Sequence, residues 1–252
     1  MSVASRADNF GTGGRNLVAR SSSVRVYARL TGALLLVNFV AGGFGEGYAP
    51  SQLIVAGNAV TTAHNVVTSD LLLRLGFVGY LGEAITDIAL AFLLYVLLRP
   101  VEANLAFLAV MFRLMATATF AFAELFYFAP SLILRGNEYL TAFSTDQLHS
   151  LALLSFNLYA AGASLFNVHY GIASMILGYL MFRSGFLPRV LGAMWVLAGL
   201  GFVIGTLLWL FTPTVASLFL LPQIAAVLPL ALWLLVRGVD AEKWNEAAAG
   251  AA

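Results

Sequence analysis

Seven residues that carry or can carry charge fall inside long apolar runs of this sequence: Glu46, Arg74, Glu83, Asp87, Arg113, Glu124 and His169. Placing such a group in hydrocarbon costs about 2.5 to 3.5 kcal/mol on insertion scales, so a chain that keeps several must pair them or use them. Counted at about 1.5 Å per residue from the cytoplasmic end of each run, Asp87 and Arg113 both come out roughly 16 Å deep, and Glu83 and His169 roughly 21 to 23 Å. The same count carries Arg74 and Glu124 roughly 33 to 36 Å, with Glu46 a little less, which places these three at the outer interface. Glu83 and Asp87 are four residues apart and stack on one helical stripe, with Tyr80 on the preceding turn and Thr86 beside it. Arg113, Thr117 and Glu124 form a second stripe. That register predicts two ion pairs between antiparallel helices, Asp87 with Arg113 and Arg74 with Glu124. Glu83 is left without a basic partner.

His169 reaches the depth of Glu83 from a run that also carries Asn157, and small residues at Ala160, Gly162 and Ala163 let that run approach closely. A carboxyl and an imidazole taken out of water together could hold one mobile proton. Glu83, Asp87 and His169 are therefore the candidate catalytic acid–base groups. Arg113, Asn157, Tyr80, Arg74, Glu124 and Glu46 are candidates for ligand binding or structural pairing. Pairing alone would explain the two ion pairs. It leaves open whether Glu83 and His169 are kept for structure or for function. His64, His149 and His169 sit on separate segments, and no close-spaced ligand motif accompanies them, so neither a metal nor a haem cofactor is expected.

These residues need long helices in a bilayer to position them. The chain has 252 residues, of which 61% are apolar and 10% charged, and its mean hydropathy is +0.90. A soluble domain carries about 25% charged residues, so this is an integral membrane protein and not a soluble enzyme. A net charge of +1 and a single lysine offer no surface for nucleic acid, and the lack of cysteine excludes thiolate chemistry and disulfides. Six runs reach the roughly 20 residues a span requires: 27–47, 71–98, 103–133, 147–182, 188–211 and 214–236. Arg6, Arg15, Arg20, Arg25, Arg29, Arg99, Arg183, Arg189, Arg237 and Lys243 all fall on one side of that map, with Arg135 opposite. Both termini are then cytoplasmic. Residues 1–26, rich in Ser, Gly and Arg, are expected to be a disordered cytoplasmic tail, and 238–252 a low-complexity one. The stretch 49–69 should cap the outer side of a six-helix, all-α bundle spanning 27–237.

At the fourth span, His169 to Gly192 read H-Y-G-I-A-S-M-I-L-G-Y-L-M-F-R-S-G-F-L-P-R-V-L-G. Upstream stand L-L-R-L-G-F-V-G at Leu72 to Gly79, the acidic stripe ending in Asp87, L-L-Y-V-L-L-R-P-V at Leu93 to Val101, F-R-L at Phe112 to Leu114 and D-Q-L at Asp146 to Leu148. Together they resemble the bacterial multi-pass membrane family known as domain of unknown function 4386, from Tyr27 to about Leu235. The resemblance implies a protein of the bacterial cytoplasmic membrane and carries no catalytic assignment. Three classes of function stand open. The first is binding or transformation of a small apolar ligand, a lipid or isoprenoid, which the aromatic content would suit. The second is a proton-coupled transporter or sensor, and the third an accessory protein whose ion pairs serve assembly. Membrane lipids are the expected partners. Oligomeric state cannot be read.

Overall fold

The computed structural model describes residues 23–136, 138, 140–212 and 222–250, and among these every regular element is helical. Hydrocarbon offers no partner for a backbone N–H or C=O, so long apolar runs satisfy both within a helix. Helix α1, Ala4–Gly42 and described from Ser23, continues through a π-helical segment, Gly43–Tyr48, into α2, Ala49–Leu53. Helix α3 is Ala59–Thr68, α4 Asp70–Leu98, α5 Ala103–Ile133, α6 Thr145–Arg183 and α7 Arg189–Phe211. Helix α8, Leu221–Val236, is followed by α9, Ala241–Gly250, after a bend of 99°.

Five stretches, Ser23–Leu53, α4, α5, α6 and α7, are long and apolar enough to cross a membrane, and the bent pair of α8 and α9 makes the sixth. The expected six-span map is therefore the one observed, with boundaries set by local chemistry. Glu102 caps α5 by accepting from the backbone N–H groups of Asn104 and Leu105. Ser144 and Gln147 form a capping box at the start of α6. Gly185 and Gly238 take the positive φ that closes α6 and α8. The N-terminal tail expected at 1–26 lies, apart from its last four residues, outside the described residues, as does the beginning of the run at 214–236.

Each span packs on the next one in sequence, and α8 returns to pack on both α7 and α1, so the six form a closed ring. Its cytoplasmic half is filled by aliphatic side chains including Leu90, Leu94, Leu97 and Leu230, together with Trp195. The outer half is aromatic and polar, around Tyr80, Phe120, Tyr127, Phe156 and Tyr159. Exposed apolar side chains such as Val40, Ile85, Phe122, Leu165 and Leu210 give the bundle its lipid-facing surface. Residues 241–250, within the C-terminal low-complexity stretch, form α9, where Trp244 buries its ring and donates from Nε1 to the carbonyl of Leu97 at 2.9 Å. At the outer end the chain turns after α2, with Thr62 Oγ1 accepting from Val55 N at 3.0 Å, and α3 lays Thr62, Ala63 and Val66 against the bundle.

The π-helical segment reads G-F-G-E-G-Y, and its glycines let α1 approach α4 almost backbone to backbone. A Cβ on Gly45 would stand 2.8 Å from both Gly76 O and Tyr80 N, groups that cannot yield as a flexible side chain can. Gly45→Ala should therefore lower thermal stability in detergent by about 1 to 3 kcal/mol, the usual cost of overpacking. Gly43→Ala, which meets nothing within 4 Å, should be tolerated far better. For topology, single cysteines at Ser51 and Glu138 should react with an impermeant maleimide from outside the cell, and one at Glu246 only after permeabilisation. Labelling of Glu138 from the cytoplasmic side would overturn the map.

Candidate functional site

Asp87 on α4 and Arg113 on α5 meet in the centre of the bundle, as their shared depth predicts. Arg113 Nη2 donates to Asp87 Oδ1, with the two residues 1% and 5% exposed. The second carboxylate oxygen accepts from Thr117 Oγ1 at 2.7 Å. The guanidinium also lies over the ring of Tyr170 on α6, 4.9 Å from its centroid, and Tyr170 in turn packs edge-on against Phe202 of α7. One ion pair thus draws four helices together. Helix α1 joins through Asn38, whose amide donates to Glu83 O and to Thr86 Oγ1, both at 3.1 Å.

A second polar cluster lies toward the outer end, and its charge is one-sided. The Glu83 carboxylate sits against Gly42, where a Cβ would stand 2.7 to 2.9 Å from its carboxyl atoms. Glu46, four residues after Gly42, brings its own carboxyl within hydrogen-bonding reach of Glu83. Glu124 on α5 is 1% exposed, and the phenol of Tyr159 on α6 is its neighbour. Tyr80 and Tyr127 complete the set at 3% and 0% exposure. Aromatic contacts frame it: Tyr80 to Phe120 at 5.2 Å, Phe120 to Tyr159 at 5.9 Å and Tyr159 to Tyr127 at 5.3 Å between ring centroids. Glu46 Oε1, Glu83 Oε2, both oxygens of Glu124 and the hydroxyls of Tyr80 and Tyr127 are buried without a hydrogen-bond partner. Among the described residues Arg113 is the one basic side chain buried to this degree, and Asp87 already holds it.

The structure separates several residues that the depth count had joined. Arg74 does not pair with Glu124: its Nε donates to Asp70 one turn earlier on its own helix, at 2.7 Å. Asp70 also accepts from Ser131 at 3.1 Å and lies 3.7 Å from Arg135, tying α4 to the end of α5. A partner four residues away needs no agreement between helices, which is why the local pair forms. His169 does not reach Glu83; its Nδ1 lies 2.8 Å from Leu165 O on α6. One residue is about 100° of helix, and that turn points Tyr170 inward and His169 aside. Asn157 is exposed for the same reason, since Phe156 and Tyr159 hold the inner face. Glu46, expected at the outer interface, stands beside Glu83, where Gly42 and Gly45 let the first span approach α4 closely. Sequence reasoning passed over Asn38, Tyr127 and Tyr159. Tyr127 was findable, three residues after Glu124 on the same stripe.

A surface groove of about 440 Å³ between Phe143 and Leu154 on α6 is lined by none of the candidate residues. Arg113→Ala should destabilise the protein by about 3 to 5 kcal/mol, because it leaves Asp87 buried and unpaired. The double variant Asp87→Asn with Arg113→Gln should recover part of that loss in thermal unfolding. Strictly additive losses would show that the two do not act as a pair.

Comparison with known proteins gives a family and no activity. A family described as a domain of unknown function, DUF4386, matches residues 30–238. A protein of Archaeoglobus fulgidus described as "Uncharacterized protein" is 30% identical over 161 residues, covering 64% of this chain and 82% of the relative. No solved structure matches. The family match runs from the N-terminal part of the first span to the end of α8 and takes in both polar clusters: the chain belongs to the DUF4386 family.

Proposed function

We propose that this protein binds a small ligand within the membrane and acts on it by acid–base chemistry at Glu46, Glu83 and Glu124. The observation that carries this reading is the set of three carboxyls gathered in the apolar interior while the buried Arg113 is engaged by Asp87. Assembly alone does not account for them, since helices are held in lipid by packing and by paired groups, and among the described residues none of these acids forms an ion pair. Two adjacent carboxyls with no cation between them share a proton, which equips Glu46 and Glu83 to give or take one. The rings of Tyr80, Phe120, Tyr127 and Tyr159 supply apolar walls of the kind that suits a lipid or isoprenoid chain. His169 has no part in this site. The cellular setting consistent with it is a prokaryotic cytoplasmic membrane.

A second reading, proton-coupled transport or sensing, is favoured by one further observation. Glu46 rides on a π-helical segment whose glycines at 43 and 47 meet nothing within 4 Å, and π turns inside longer helices concentrate at functional sites. A shift from π to α pairing there would turn Glu46 relative to Glu83 and so alter proton sharing.

Both readings expect a carboxylic C=O infrared band at neutral pH that disappears in Glu83→Gln and in Glu46→Gln. Its absence from the unmodified protein would remove the acid–base site. Functional acids are kept at the expense of stability, so Glu124→Gln should hold or raise the unfolding temperature. A marked fall would assign Glu124 to structure.

A further inference from the structure

We infer that the turn between α6 and α7 binds the phosphate headgroup of an anionic phospholipid through Arg183 and Arg189. The site lies at the cytoplasmic end of the bundle, apart from the glutamate–tyrosine cluster, and does not depend on it. Arg183 is the last residue of α6 and Arg189 the first of α7. Arg183 Nη1 donates to the hydroxyl of Tyr179 at 3.0 Å, and its guanidinium carbon stands 5.7 Å from the centroid of that ring. The Arg189 guanidinium stands 5.9 Å from the centroid of Phe182. Three residues separate Tyr179 from Phe182, so both rings, 43% and 44% exposed, lie on one face of α6. Two cations from two helices thus rest on a single lipid-facing surface.

The backbone beneath them is held in place. Gly185 turns with a φ of 70°, Ser184 Oγ donates to Met181 O at 2.8 Å and accepts from Leu187 N at 3.2 Å, and Phe186 and Leu187 bury their side chains in the aliphatic core. A Cβ on Gly192 would stand 2.5 Å from Phe182 N, so α7 backs directly onto α6 at this level. The charge is not answered from within: among the described residues neither arginine has a carboxylate within 4.0 Å. Asp240 comes near the turn, donating its backbone N–H to Phe186 O at 3.2 Å, but its carboxylate lies 3.6 Å from Lys243. A guanidinium offers paired N–H donors that match two phosphate oxygens, and two of them on one surface suit an anionic phosphodiester. The rings select a lipid over a free phosphate. Tyr179 lies roughly 6 Å deeper along α6 than Arg183, so a headgroup at the arginines lays its acyl chains over exposed aromatic faces.

The test is thermal unfolding of the full-length protein in dodecyl maltoside, titrated in mixed micelles with dioleoylphosphatidylglycerol, and in parallel with dioleoylphosphatidylcholine and with inorganic phosphate. Phosphatidylglycerol should raise the unfolding temperature saturably. Phosphatidylcholine, whose charge is internally neutralised, and free phosphate, which cannot cover the rings, should not do so at the same concentrations. Arg183→Gln and Arg189→Gln should each weaken the phosphatidylglycerol response about five-fold, and the double variant should abolish it. Both side chains are exposed, so these variants should unfold near the temperature of the unmodified protein when no lipid is added. Arg99→Gln removes an exposed arginine from the same side, at the end of α4, where among the described residues no ring lies beneath it, and should leave the response intact. Phe182→Leu, which keeps the apolar bulk and loses the ring face, should weaken it. No saturable shift with phosphatidylglycerol, or an equal one with phosphatidylcholine or free phosphate, would overturn the inference. So would a loss in Arg99→Gln as large as in the turn variants, since the lipid would then answer to overall charge and not to this site.

Discussion

A guanidinium sealed inside a helical bundle in lipid has to find its counter-charge there, and the geometry of this protein is organised around that requirement. Arg113 meets Asp87 across the interface of α4 and α5, Thr117 fills the second carboxylate oxygen, and the face of Tyr170 covers the cation from α6. A buried pair adds little net stability over apolar side chains of the same shape, but breaking it leaves a charge in a medium that cannot solvate it. It therefore acts as a register device. Helices α4 and α5 cannot slide, nor α6 rotate by a residue, without uncovering an ion.

With that register set, the neighbouring surfaces are brought closer than side chains of ordinary size allow. Gly42 and Gly45 on the first span meet Glu83, Gly76 and Tyr80 on α4, while Gly171 and Gly178 on α6 meet Gly199 and Gly192 on α7. Such contacts rely on packing, since the hydrophobic effect gives no drive between helices already in lipid. The α1–α4 approach has a chemical consequence. It brings Glu46 to Glu83, so two acids from separate spans become neighbours with no base between them.

The two polar clusters differ in charge balance, though both bury unpartnered polar atoms, Arg113 Nε and Nη1 among them. Around Arg113 the charges balance and three helices besides its own share the cost of holding it. Around Glu124 the charges do not balance, hydroxyls and carboxylate oxygens lack partners, and aromatic rings form the walls. Polar groups left unsatisfied in an interior are expensive, and where a protein keeps them the expense is usually met by something bound or by chemistry performed.

The sequence alone determined the bilayer, the order of the apolar spans and the Asp87–Arg113 pair. Hydropathy and charge placement are properties of composition, and depth along a straight helix is fixed by its constant rise per residue. Its errors were equally physical. Depth says how far along a helix a residue lies, whereas contact depends also on which way it faces and on where the neighbouring helix stands. Tyr170 and His169 differ by one residue, and only packing against α5 and α7 decided which of them would turn inward. Arg74 found Asp70 on its own helix, an option that the depth of Glu124 could not reveal. Glu46 came to Glu83 because glycines on the first span and on α4 let two backbones nearly touch. Those events belong to the tertiary structure, since each depends on two helices at once and a single run of residues specifies only one.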